Sequence, residues 1–299
     1  MGLPGRGQPL SALLRMVPPH AINTKNSAAV LKAVKSAFSD IGAEASFPLL
    51  DRLFKDVTDM FEGRYPGYQT IDMYYHDFEH TLQSTVCLIH ILLGRSRSID
   101  KPVLTPRDWE LAVMAVLLHD SGYLKVMGDS NGTGAIHTFV HERRSCAFVR
   151  LYLPGMGVTA SEIEDICSAI ICTGPQNKIS LISFHREEAR LFAFILVTAD
   201  YLAQMSSADY VDKLPVLFRE FQEAYDYEQV PPAKRPYHTV RELLEKTPMF
   251  WQNYVRPMLD FEAGGVHRYL TTAGQPNPYL QAVEANIAEV RRRLQTGTG

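Results

Sequence analysis

The sequence predicts an all-α protein organised as a single multi-helix domain. Apolar residues recur at steps of three and four through most of the chain. Sustained apolar/polar alternation closed by Asn-Gly or Asp-Gly turns is missing. No repeat, and no Pro/Gly/Ser-rich linker, separates one core from another. With 299 residues, 46% of them hydrophobic and 21% charged, the chain is long enough to bury a large core and does not have the composition of a disordered protein.

The elements follow in order. Residues 1–25 are expected to form a disordered tail, with the helical domain spanning 26–299. In Ser27–Asp40, Val30, Ala33, Val34, Ala37 and Phe38 fall on one helical stripe. In Ser46–Phe61, Leu49, Leu50, Leu53, Phe54, Val57 and Phe61 do the same. A third helix is predicted from about Asp77 to Leu93. The fourth has the plainest start: Thr105 suits the N-cap, Pro106 suits the first turn, and Asp108 complements the helix N-terminus. Trp109–Leu118 is then apolar apart from Glu110, the pattern of a helix buried on nearly all sides, and Gly122 is the expected stop. A loop at 129–134 precedes helices at about 136–153, 159–172, 187–206 and 212–227. A Pro-rich connection at 230–237 leads to helices at Glu242–Lys246, Phe250–Leu259 and Tyr279–Leu294.

Charge and cysteine usage remove several function classes. The 30 Lys and Arg against 33 Asp and Glu give −3, without the basic excess of a nucleic-acid binder. The longest apolar runs, Val86–Leu93 and Leu191–Ala199, are broken by His90 and ended by Asp200; both fall short of the roughly 20 residues a bilayer requires. Neither nucleic acid nor membrane is an expected partner. The four cysteines (Cys87, Cys146, Cys167 and Cys172) form no CxxC pair and sit in helix-like stretches, so free thiols and a cytoplasmic location are expected.

Chemistry concentrates in a few places. Asp200 interrupts an apolar helix and Asp120 ends another; a buried carboxylate needs a hydrogen bond, a proton, an ion pair or a metal. His119 adjoins Asp120, while His76 and His80, four residues apart, are predicted on one face of a helix. Such a mixed nitrogen and oxygen set suits Zn²⁺, Fe²⁺, Mn²⁺ or Mg²⁺. Buried His–Asp hydrogen bonds without a metal are the competing reading. His137 and His141 form a second pair four apart, with Arg143 and Arg144 beside them as candidate phosphate-neutralising cations or as surface charge. Phe250, Trp251 and Tyr254 read either as core or as the wall of a base pocket. Tyr75, Gln204 and Trp251 are the candidate pocket residues; Gln222 is a further candidate by residue type.

Tyr75-His76-Asp77-Phe78-Glu79-His80 resembles the YHNxxH element of cyclic-nucleotide phosphodiesterases. His119-Asp120 resembles the dyad of the HD superfamily of metal-dependent phosphohydrolases, and Asp200 resembles that superfamily's last metal-ligand aspartate. The resemblance covers about 72–208, the metal-site core, with helices of 209–299 packing on it. It implies that His80, His119, Asp120 and Asp200 ligate one divalent metal. It further implies that Asp120 reaches toward a second metal or shared hydroxide, and that His76 protonates the leaving oxygen. His141-Glu142-Arg143 with Ser145 resembles the HExxS-type helix that contacts a second metal or substrate; His137, His141 and Arg143 are the candidates for that role. The chain departs from these relatives at Asp77, at Ser121–Lys125 after the dyad, and at Cys172 and Thr173, which leaves the second metal open. The expected function is therefore hydrolysis of a small phosphorylated substrate, preferably a phosphodiester such as a cyclic nucleotide, by metal-bound hydroxide. A nucleotide mono- or pyrophosphohydrolase and a non-catalytic nucleotide- or protein-binding module are the alternatives.

Overall fold

Capping side chains set the helix starts that position everything else. In the computed structural model, which describes residues 22–43, 47–271 and 275–296, Asn26 caps α1 (Ser27–Asp40) through a hydrogen bond from Ala29 N–H. After α2 (Phe47–Phe61), Asp77 caps α3 (Phe78–Ser96) by accepting from His80 N–H. Thr105 and Asp108 make a reciprocal capping box on α4 (Pro106–Leu118), as do Thr159 and Glu162 on α6 (Ala160–Ile171). Between these two lies α5 (His141–Tyr152). The chain continues through α7 (Glu187–Ser206), α8 (Tyr210–Tyr227), α9 (Val240–Phe250) and α10 (Pro278–Thr296). Among the described residues β-structure is limited to one bridge, Tyr68 to Val126.

Two helices are buried almost all round. In α4 every residue from Asp108 to Leu118 is buried, and α7 is buried from Ile195 to Ala203. α3 packs along α7, α4 packs on both, and α6 and α10 cover α7 from other sides. Burying a large side chain here, such as Trp109 of α4 edge-on to Phe38 of α1, contributes about 1.5–3 kcal/mol. The four cysteines are free and buried. No single helix among the described residues is long and apolar enough to cross a membrane.

Four expectations need correction or placement. Of the expected tail, residues 1–21 lie outside the described residues, whereas Thr24 bonds to Glu79 of α3. The segment 136–153 is not one helix: Gly134–His137 forms a 3₁₀ turn, and α5 begins only at His141. His76 precedes α3, whose cap is Asp77. The expected helices 242–246 and 250–259 are one continuous path, α9 running into π-helical turns at Trp251–Val255 and Met258–Glu262. Pro248 and Pro257 each lack the N–H for an ordinary helical bond, and Arg256 N–H reaches back five residues to the Trp251 carbonyl.

Candidate metal centre

The end of α4, the second half of α7, the start of α3 and the start of α5 meet at one point. α3 supplies His80, the end of α4 supplies His119 and Asp120, and α7 supplies Asp200, all buried. His80 Nε2 lies 3.3 Å from His119 Nε2, 3.1 Å from Asp200 Oδ1 and 3.5 Å from Asp120 Oδ2. His119 Nε2 lies 3.3 Å from Asp120 Oδ2 and 3.5 Å from Asp200 Oδ1. The ligand atoms of His80, His119 and Asp120 all lie within 4.8 Å of one another, and Asp200 Oδ1 lies against both imidazoles.

The ring orientations follow from neighbouring acceptors. A carbonyl accepts and does not donate, so His119 Nδ1, 2.7 Å from the Val116 carbonyl, carries the proton there, and Nε2 faces the carboxylates. His141 is held the same way by the Thr138 carbonyl at 2.8 Å, which turns its Nε2 to 3.7 Å from Asp120 Oδ1. Both oxygens of Asp120 are buried without a hydrogen-bond partner. A centre made of bare imidazole nitrogens and carboxylate oxygens needs a proton or a cation among them. Bonds of about 2.1 Å to a tetrahedral divalent ion would hold the donors about 3.4 Å apart, close to the spacings seen. His80, His119 and Asp120 could therefore hold a metal ion, with Asp200 beside the two imidazoles.

With no metal bound, the electrostatics place a proton among these donors. Burial disfavours a charged His119, but Asp120 and Asp200 outweigh it and raise the ring to about 9. Burial likewise opposes ionisation of Asp200 and Asp120. His119 and His80 hold Asp200 far below the usual carboxylate range, and His119, with His76 and His80, lowers Asp120.

A second group of residues borders the first. His76 Nδ1 is 2.8 Å from Glu220 Oε2 on α8, and Glu220 Oε1 accepts from Tyr75 N–H at 2.7 Å. The Tyr123 ring stacks on His141 (centroids 4.6 Å, 9°) and on His76 (5.1 Å, 29°). The Tyr75 hydroxyl donates to Gln204 Oε1 at 2.8 Å, and Gln204 Nε2 lies 3.4 Å from Asp200. Tyr75, His80 and Gln204 line a small cleft together. The turn after the dyad is pinned to α5: Ser145 Oγ donates to the His119 carbonyl and accepts from Gly122 N–H. Gly122, the expected stop, follows the end of α4 at Leu118 and has no positive φ. Its backbone runs so close to α5 that a Cβ would sit 1.9 Å from the His141 carbonyl oxygen.

Several expected residues stand elsewhere. His137 is buried beside Tyr227, and burial, then Arg144, lowers its pKa to about 4. Arg143 is exposed, and Arg144 donates to the Gly122 and Leu124 carbonyls at 2.7 Å. Trp251 is buried in the core, with its indole N–H on Glu284 of α10. Gln222 bonds to the Tyr237 carbonyl and to Arg235. The Cys172 thiol bonds to the Ser168 carbonyl of its own helix. Asp77, the departure from the phosphodiesterase element, is used structurally: one oxygen caps α3 and the other takes Lys213 at 2.8 Å.

A comparison with curated proteins found no match. A family model described as Npun_R2479-like matches residues 67–293, well over half the chain and every residue of the centre. The chain belongs to the Npun_R2479-like family.

Proposed function

We propose that the protein is a metal-dependent phosphohydrolase that cleaves a small phosphate ester, with a phosphodiester preferred, as the resemblance to the HD superfamily and to phosphodiesterases implies. The observation that supports this most is Asp120: a buried carboxylate with both oxygens unpartnered, one beside two imidazole Nε2 atoms and the other turned toward His141. His80, His119, Asp120 and Asp200 would hold the ion. A divalent cation there supplies Lewis acidity to a phosphoryl oxygen and lowers the pKa of a coordinated water toward about 7.

The chain's own residues do the rest. His76 is kept in place by Glu220 and by the stacked Tyr123 ring. Burial works against its protonation, but the Glu220 carboxylate, together with Asp120 and Asp200, raises its pKa above the ordinary imidazole value, which favours the protonated form a leaving oxygen needs. His141, fixed through Nδ1 by the Thr138 carbonyl, turns its Nε2 lone pair toward Asp120 as a further ligand atom. Gln204 and Tyr75 form a hydrogen-bonded wall over the cleft that includes His80.

The test is elemental analysis and turnover with His80→Ala and Asp120→Ala. The expected result is loss of bound Zn, Fe or Mn and of phosphate release together. Wild-type protein that takes up no divalent metal, or variants that keep both properties, would overturn the reading.

A further inference from the structure

Two of the four thiols face each other across a helix pair. Cys146 lies on α5 and Cys167 on α6, and the two helices pack side by side. The contacts are reciprocal. The Cys146 S–H donates to the Cys167 carbonyl at 3.5 Å, and the Cys167 S–H donates to the Cys146 carbonyl at 3.8 Å. Each residue is 3% exposed. The surface is nonetheless close. Arg150, one turn after Cys146 on α5, and Glu164, three residues before Cys167 on α6, form a two-point ion pair at 2.7 Å across the same helices, with side chains about half exposed.

The two sulfurs are not equivalent. The Cys146 S–H beside it holds the Cys167 thiol below its ordinary value; burial opposes this, and the Arg150 guanidinium reinforces it. The same interaction, together with burial, pushes the Cys146 thiol up. Cys167 is thus the readier thiolate, with a second thiol beside it. That is the arrangement in which an oxidised cysteine is resolved by its neighbour. The other two cysteines are set differently. Burial pushes Cys87 up inside α3, and it pushes Cys172, whose thiol bonds to the Ser168 carbonyl, up to about 12.

We propose that Cys146 and Cys167 are a reversible disulfide site that clamps α5 to α6 when the protein meets hydrogen peroxide. The Cys167 sulfur attacks one peroxide oxygen and the O–O bond breaks. Hydroxide leaves and takes up the proton that Cys167 released, forming water. The Cys146 sulfur then attacks the sulfenic acid on Cys167, the S–O bond breaks, and hydroxide leaves with the Cys146 proton as a second water. Two thiols and one peroxide give one disulfide and two waters, and two electrons pass from the sulfurs to the peroxide oxygens. A dithiol returns them. The clamp stands next to an anchor of the metal centre, because Ser145, the residue before Cys146, holds the His119 carbonyl and the Gly122 N–H. It does not depend on the phosphohydrolase reading.

Intact mass and peptide mapping of the folded full chain, first reduced and then exposed to hydrogen peroxide, test this. The expected product is about 2 Da lighter, through loss of the two thiol hydrogens. It should keep Cys87 and Cys172 as free thiols and yield one cross-linked peptide that joins Cys146 to Cys167. Dithiothreitol should restore the starting mass. Cys146→Ser keeps a hydrogen-bonding group of similar size and should form no internal cross-link. Wild-type protein that keeps all four thiols free under peroxide would overturn the assignment. So would a cross-link through Cys87 or Cys172, a Cys146–Cys167 link that forms only after unfolding in urea, or a mass loss that persists in Cys146→Ser. Should the serine variant fail to fold, the cross-link map of the wild type decides the question by itself.

Discussion

Nδ1 of His76 lies 2.8 Å from Oε2 of Glu220, across 144 positions of sequence, and the same carboxylate takes the backbone N–H of Tyr75. One buried acid on α8 thus fixes both the ring and the peptide that carries it. Glu220→Gln keeps the shape and removes the charge. As the proposed proton donor, His76 should lose efficiency, with kcat falling by about 10²-fold. Because Glu220 raises the pKa of His76, its loss lowers that pKa, and the alkaline limb of the kcat profile should move to lower pH. Metal content should stay at the wild-type level, which a general loss of folding would not allow.

Gly122 is the second sensitive point. It does not carry a positive φ, so an alanine there costs nothing in backbone conformation. The cost is contact: the new methyl meets the His141 carbonyl at 1.9 Å and Ser145 N at 2.8 Å. Helix α5 must retreat, taking His141 and the Ser145 anchor with it. Gly122→Ala should lose about 1–3 kcal/mol in a urea melt and bind metal more weakly.

Local physics made much of this legible from sequence. The cap and apolar run of Thr105–Leu118 place α4 without any tertiary knowledge, and a lone carboxylate in an apolar helix marks Asp200 and Asp120. Glu220 escapes that logic: in Phe218–Asp226 acidic, polar and aromatic residues mix as they do on a solvated helix face, and only the fold reveals that this one acid is buried. The closeness of His76 to His80 was expected from helical spacing, yet His76 stands before the helix and reaches the site through Glu220. His137 fails for the complementary reason. Its spacing to His141 signifies a shared face only on a continuous helix, and the chain turns between them. Trp251 follows the bland alternative, an aromatic at helical spacing that belongs to the core.

His90 gives a pH dependence independent of the metal centre. It is buried in α3 with Nδ1 on the Tyr279 hydroxyl at 2.9 Å, and burial lowers its pKa from 6.5 to about 4. Between those values the unfolded chain binds a proton that the folded chain refuses, so stability falls as pH drops from about 6.5 to about 4 and is fully present above 6.5. The loss is on the order of 3 kcal/mol. His90→Gln keeps a hydrogen-bonding side chain without a titrating group. Its unfolding free energy should lose about one proton's worth of slope across that window; identical slopes in the two proteins would contradict a neutral buried imidazole.

Metal removal should be visible in stability before any substrate is known. A ligand that binds the folded chain at about 100 times its Kd adds about 2.7 kcal/mol. For a domain of this size each kcal/mol moves Tm by roughly 2–4 °C, so a chelator should lower Tm by several degrees and added Mn²⁺ or Zn²⁺ should restore it. In the stripped protein His119 and Asp120 remain oppositely charged neighbours at 3.3 Å, because His119 is raised to about 9 and Asp120 is lowered. The centre then holds together through a proton, and the fold should survive the chelator. Asp120→Asn weakens both arrangements: it removes one candidate ligand and one of the charges that keeps His119 protonated. Its Tm should lie below that of the wild type and no longer respond to chelator or metal. A wild-type Tm indifferent to both additions would leave the proton as the only cation the centre holds.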